Sequence, residues 1–128
     1  MKKEFMLLIR NHADEKKMLS AEEHLSFVKK CEVHIGELLK NGNLIGAQPL
    51  MREGVMISKN GNEWDISNID GNKEVQVGYY HLLANDIDEV ISIAKNNPEF
   101  EYVPSASIEV RPIKMMEVKT GFVYPNEK

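Results

Sequence analysis

The sequence predicts an α+β fold, a sheet backed by two helices. Three observations predict it: a capping box at Ser20 that opens a long helix, a long strand-like run from Val75 to Ala84, and Asn60-Gly61 set between two short β-rich runs. At 128 residues, with 42% hydrophobic and 28% charged side chains, the chain has the length and composition of one globular domain. A single domain is expected over residues 1–128, with its core at about 4–113 and an extension over 114–128.

Phe5 to Ile9 is a short apolar run with apolar residues on both faces, as in a central strand, and a polar loop follows from Asn11 to Lys17. In Ser20-Ala21-Glu22-Glu23 the hydroxyl can accept from the Glu23 amide while the Glu23 carboxylate returns to the Ser20 amide. Leu25, Val28, Cys31, Ile35, Leu38 and Leu39 then recur at three- and four-residue steps and predict the buried helix face, and Asn41-Gly42 ends the helix. Leu44 to Leu50 holds Gly46 and Pro49, which weaken a ladder and place this strand at an edge. Val55 to Ile57 and Glu63 to Ile66 flank Asn60-Gly61 as an inserted hairpin, and Asp70-Gly71 marks a second turn.

Along the next strand Val75, Val77, Tyr79, His81 and Leu83 share one side, and Gln76, Gly78, Tyr80, Leu82 and Ala84 the other. Asn85 or Asp86 caps a second helix with Val90, Ile91, Ile93 and Ala94 as its apolar face, stopped by Asn96-Asn97-Pro98. Ser107 to Ile113 is the last strand, with Ile108 and Val110 inward. Strand, helix, strand, inserted hairpin, strand, helix, strand is the ferredoxin-like split βαβ order with one decoration. The tail keeps Met115, Met116, Val118, Phe122, Val123 and Tyr124, which predicts packing on its own sheet or on a partner.

Composition excludes several classes of function. A net charge of −4 with interleaved acids and bases argues against nucleic acid. Cys31 is the only cysteine, so no intrachain disulfide or cysteine metal cage is expected, and a cytoplasmic setting fits. The run from Phe5 to Ile9 is too short for a signal-peptide core, and no segment approaches the roughly 20 apolar residues of a membrane span. The four histidines show no His-x-His or His-x-x-x-His pairing, and there is no phosphate loop or Gly-x-Gly-x-x-Gly, so neither metal nor nucleotide cofactor is expected.

The first and third core strands are expected side by side and parallel, which would gather their C-terminal ends at one sheet edge. That edge would collect Arg10, His12 and His81, with His24 on the first turns of the helix. Imidazoles titrate near neutrality, which makes His24 the candidate general acid/base, and Arg10 could grip a carboxylate. His12, Tyr80 and His81 are candidate ligand contacts, whereas His34 and Cys31 read as structural.

With Lys73-Glu74 and Gly78-Tyr79-Tyr80 in place, the sequence resembles the YCII-related family, in the branch named for its Asp-Gly-Pro-Phe motif. Phe5 to Arg10, Asn41-Gly42, Leu44 to Leu50 and Ile108 to Pro112 match as well, and the setting of His24 resembles that of the family's helix histidine. Where the family has Gly-Pro-Phe this chain has Ser67-Asn68-Ile69, with Asp65 one residue upstream of the motif's aspartate position. The resemblance implies a face-to-face homodimer, a dimeric α/β barrel enclosing a small-molecule cleft. Two functions follow as expectations. One is a small-molecule-binding homodimer without established catalysis; the other is an acid/base enzyme of lyase or isomerase type that uses His24 on an oxygenated substrate.

Overall fold

The computed structural model describes residues 2–12 and 15–126. Its main sheet is built from β1 (Lys3–His12), β2 (Leu44–Pro49), β5 (Glu74–Ala84) and β6 (Ser107–Pro112), in the order β2-β5-β1-β6. A separate ribbon pairs β3 (Val55–Asn60) with β4 (Glu63–Asn68). Among the described residues three α-helices accompany these strands: α1 (Ala21–Lys40), α2 (Ile87–Lys95) and the short α3 (Glu99–Tyr102). The mixed α+β architecture is compatible with the ferredoxin-like pattern.

The capping box forms as its sequence dictates: the Ser20 hydroxyl accepts from Glu23 N–H at 3.1 Å, and the Glu23 carboxylate accepts from Ser20 N–H at 3.0 Å. At the other end Asn43 N–H donates to Leu38 O and Gly42 N–H to Leu39 O, with Gly42 at φ 74°, the left-handed turn that a glycine adopts without penalty. Ser20→Ala removes the cap and is expected to lower stability by about 1 kcal/mol in urea denaturation. Asp86, not Asn85, caps α2 through Glu89 N–H.

The buried face of α1 differs from the periodicity-based expectation. Phe27, His34 and Leu38 are buried and Cys31 and Ile35 half-buried, whereas Leu25 and Leu39 are exposed. A helix border two positions wide can be turned inward or outward, and here α1 packs on β2 while Phe27 is turned inward against the ring of Tyr102. Both long helices cover the same sheet face, where Phe5, Leu7 and Ile9 of β1 meet Tyr80, Leu82 and Ala84 of β5, with Leu38, Val90 and Ala94 above them. The next residues along β1, from Glu4 to Arg10, alternate onto the opposite, helix-free face.

Two expectations about the sheet are corrected. The first and third core strands, β1 and β5, are antiparallel, not parallel. Since β2 is also antiparallel to β5, β1 and β2 run the same way and β5 returns between them, so the C-terminal ends of β1 and β5 lie at opposite edges. Second, Ile9 pairs with Gly78 and Arg10 with Gln76, so Val77 is an extra residue in β5. This bulge switches the pleat and turns Val77 into the core, away from Tyr79 and His81.

The hairpin turn is Gly61-Asn62, one residue later than Asn60-Gly61, because Asn60 itself pairs with Glu63. Every residue of the ribbon is exposed, and its cross-strand register puts Val55, Ile57, Trp64 and Ile66 on one face. Of the loop expected over Asn11 to Lys17, residues 13 and 14 lie outside the described residues, and Glu15–Met18 forms a 3₁₀ turn. The tail does return to its own sheet: Ile113 N–H donates to Glu4 O at 3.0 Å, and Asn126 Nδ2 to Glu4 Oε1 at 2.6 Å. Its last two positions, 127 and 128, lie outside the described residues.

Candidate functional site

A pocket of about 400 Å³ lies between α1 and the β2–β5 half of the sheet. Ile9, Phe27, Val28, Ile35, Ala47 and Val77 form its apolar walls. Gly78 belongs to the same wall because β2 crosses it closely: a Cβ there would meet Gln48 O at 3.1 Å. Tyr80, Asn97 and Glu99, all buried, form the inner end, while His24 stands exposed at the rim. The volume is in the range of small-molecule sites, and so is the combination of apolar walls with a few converging polar groups. A larger hollow of about 1140 Å³ between α1 and α2 is an open groove rimmed by charged side chains such as Glu22, Lys29, Lys30 and Glu101.

The inner end is held by α3, which docks on α1. Tyr102 packs edge-on against Phe27 with ring centroids 5.4 Å apart, the Ser26 and Tyr102 hydroxyls share a 3.0 Å hydrogen bond, and Lys30 Nζ lies 2.6 Å from Glu101. This docking carries Glu99 into the interior, where its carboxylate accepts from Asn11 Nδ2 at 3.0 Å and pairs with Lys16 Nζ at 3.2 Å. Asn11 in turn accepts a hydrogen bond from Arg52 Nη1, and Arg52 donates to Gly71 O and Lys73 O. A buried carboxylate is tolerated there because it is both paired and hydrogen-bonded.

Burial pushes the Cys31 thiol up to about 11, with the Glu99 charge raising it further against Lys16, so it is a protonated thiol near neutrality. Burial likewise pushes the Tyr80 hydroxyl up to about 12, helped by Cys31 and Glu99 and opposed by the Asn97 amide beside it. His34 packs edge-on against Tyr80 at 5.8 Å, and its buried Nε2 has no hydrogen-bond partner among the described residues. Burial holds its pKa below the ordinary 6.5, with Glu37 pulling the other way. The unfolded chain therefore binds this proton more readily than the folded one. The His34 contribution to stability is complete above pH 6.5 and is lost as the pH falls below it toward the folded value. Urea midpoints measured between pH 7.5 and 5.5 should fall with pH, and less steeply in His34→Phe.

The sequence-derived cluster of Arg10, His12, His81 and His24 does not assemble. His24 and Tyr80 line the pocket just described. Arg10 lies on the opposite sheet face, in a hollow of about 730 Å³ with Arg52, Asp70 and Gln76, so it does not reach the pocket that His24 lines. His12 is exposed, opposite Glu74, with its backbone tied to Ser105. His81 sits at the far end of the sheet opposite Met6, its Nε2 at 2.7 Å from Glu4 Oε1. The physical reason is the antiparallel β1–β5 pairing. Arg10 pairs with Gln76, five residues before His81.

Asn97, Glu99 and Lys16 were not singled out from sequence. Asn97 reads there only as part of a helix stop, and no local signal marks Glu99, whose partner Asn11 is 88 residues away. Among the described residues no group of three or more His, Cys, Asp or Glu is placed to hold a metal ion, and no helix is long and apolar enough to cross a membrane. Comparison with family models and with curated proteins finds no match to this chain.

Proposed function

We propose that this chain is a YCII-related, small-molecule-binding protein that works as a homodimer, without established catalysis. The observation that carries the binding reading is the pocket between α1 and the sheet, with six apolar walls and a buried polar end. The homodimer and its barrel are supported by the sequence resemblance and by the sheet order β2-β5-β1-β6, which leaves one sheet face free of helices. That face presents Met6, Leu8, Tyr79 and Leu83, each half-buried.

Ala47→Phe, which fills the pocket from β2, is expected to abolish the thermal stabilisation that small neutral ligands give the parent chain in a melting screen. Retained stabilisation by every ligand in that variant would remove the pocket from consideration. Light scattering coupled to size exclusion should report twice the chain mass; a monomer at high concentration excludes the barrel.

The acid/base enzyme is the second reading, and one observation favours it: His24 stands at the rim of the same pocket. The exposed imidazole has no hydrogen-bond partner among the described residues to orient it, which places this reading second. Turnover of an oxygenated substrate abolished by His24→Ala would reverse the order.

A further inference from the structure

The inner end of the pocket is chemically one-sided. Asn97 is 3% exposed, and its Oδ1 accepts from Glu99 N–H at 2.9 Å, which fixes the amide's orientation and leaves Nδ2 as its donor end. That Nδ2 is buried and has no hydrogen-bond partner within 3.5 Å among the described residues. A buried donor without an acceptor is a rarity that calls for one. The amide and the Tyr80 hydroxyl line the same pocket, close enough for the amide's donor end to favour the ionised hydroxyl but outside direct hydrogen-bond distance, and burial keeps the hydroxyl protonated throughout the physiological range. Two neutral donors thus stand side by side at the closed end of an apolar pocket.

The charges around them exclude ionic ligands. Glu99 and Glu32 both line the pocket and repel an anion, and the one lysine, Lys16, is already paired with Glu99. A cation finds the Glu99 carboxylate occupied by Lys16 and Asn11. What two neutral donors lack is a neutral acceptor with two lone pairs, and a carbonyl oxygen supplies both on one atom. A volume of about 400 Å³ admits a body of roughly a dozen non-hydrogen atoms.

Resting on the reading of this pocket as a small-molecule site, we propose that it selects compact, apolar, uncharged carbonyl compounds, with the carbonyl oxygen received by the Tyr80 hydroxyl and the Asn97 amide. The test uses the full chain and three probes of one shape: acetophenone, ethylbenzene and benzoate. Binding is followed by amide shifts of the wall residues Ile9, Val28 and Val77 in ¹H–¹⁵N spectra. Acetophenone should bind about tenfold more tightly than ethylbenzene, the worth of one good hydrogen bond, and benzoate more weakly than either. The preference should collapse in Tyr80→Phe, which keeps the ring against His34, and in Asn97→Asp, which keeps Oδ1 and removes the donor; the spectrum of each variant reports that it is folded.

Equal binding of acetophenone and ethylbenzene, a preference that survives both substitutions, or tightest binding by benzoate overturns the carbonyl inference and leaves the pocket standing. If none of the three probes moves the wall resonances, the pocket reading falls and takes the inference with it.

Discussion

Glu99→Ala is expected to lower the free energy of unfolding by about 2–3 kcal/mol, one of the two largest losses predicted for a single substitution here. The carboxylate is the centre of a chain of contacts that runs from Lys16 through Glu99 and Asn11 to Arg52 and on to the carbonyls of Gly71 and Lys73. Removing it leaves the Asn11 amide, in a residue only 1% exposed, without its acceptor. Lys16 limits the damage because its side chain retains 27% exposure and can turn to water. Glu99→Gln, which keeps the shape and one acceptor, should cost less than half as much. Urea denaturation at pH 7 measures both. A Glu99→Ala variant within about 0.5 kcal/mol of the parent would mean the network does not hold α3 in place.

Leu7→Ala should cost about 3–4 kcal/mol by the same measurement. Leu7 is fully buried on β1, between Tyr80 of β5 and Val110 of β6 in register, so neighbours on both strands keep the vacated space from collapsing. The matching control is Leu25→Ala, expected within about 0.5 kcal/mol of the parent because Leu25 is 56% exposed. Sequence periodicity puts Leu25 on the buried face of α1, so the Leu25 variant tests directly which way the helix is turned, with Leu7→Ala as the measure of a buried leucine.

The two helix starts show what local sequence can carry. Ser20 and Asp86 each satisfy an amide three residues ahead, and that chemistry needs nothing outside four consecutive residues. The exposed ribbon is legible to within one residue for the same reason: Gly61 marks its turn locally, although the pairing of Asn60 with Glu63 moves that turn to Gly61-Asn62. The β5 bulge is different. Nothing between Val75 and Leu83 in sequence marks an extra residue, and only the register against β1, with Ile9 opposite Gly78 and Arg10 opposite Gln76, turns Val77 inward.

The candidate site divides along the same line. His24 and Tyr80 could be nominated from sequence because an imidazole on a helix border and a tyrosine in an alternating strand advertise themselves, and both line the pocket. Arg10 and His81 could be nominated but not placed, because strand direction depends on how the chain returns between β1 and β2. Asn97 and Glu99 could not be nominated at all. A helix stop became the donor end of a pocket, and an ordinary surface-type acid became a buried one, through contacts with residues distant in the chain.

What the sequence alone determined about this protein is its α+β class, the positions of its two long helices and four core strands, and the turn chemistry between them. Tertiary structure decided the direction of β5 relative to β1, the rotation of α1, and the union of Tyr80, Asn97 and Glu99 at one buried point. The physical reason is range: caps and turns are satisfied within a few residues, while the partner of a buried side chain is selected by the packing of whole elements.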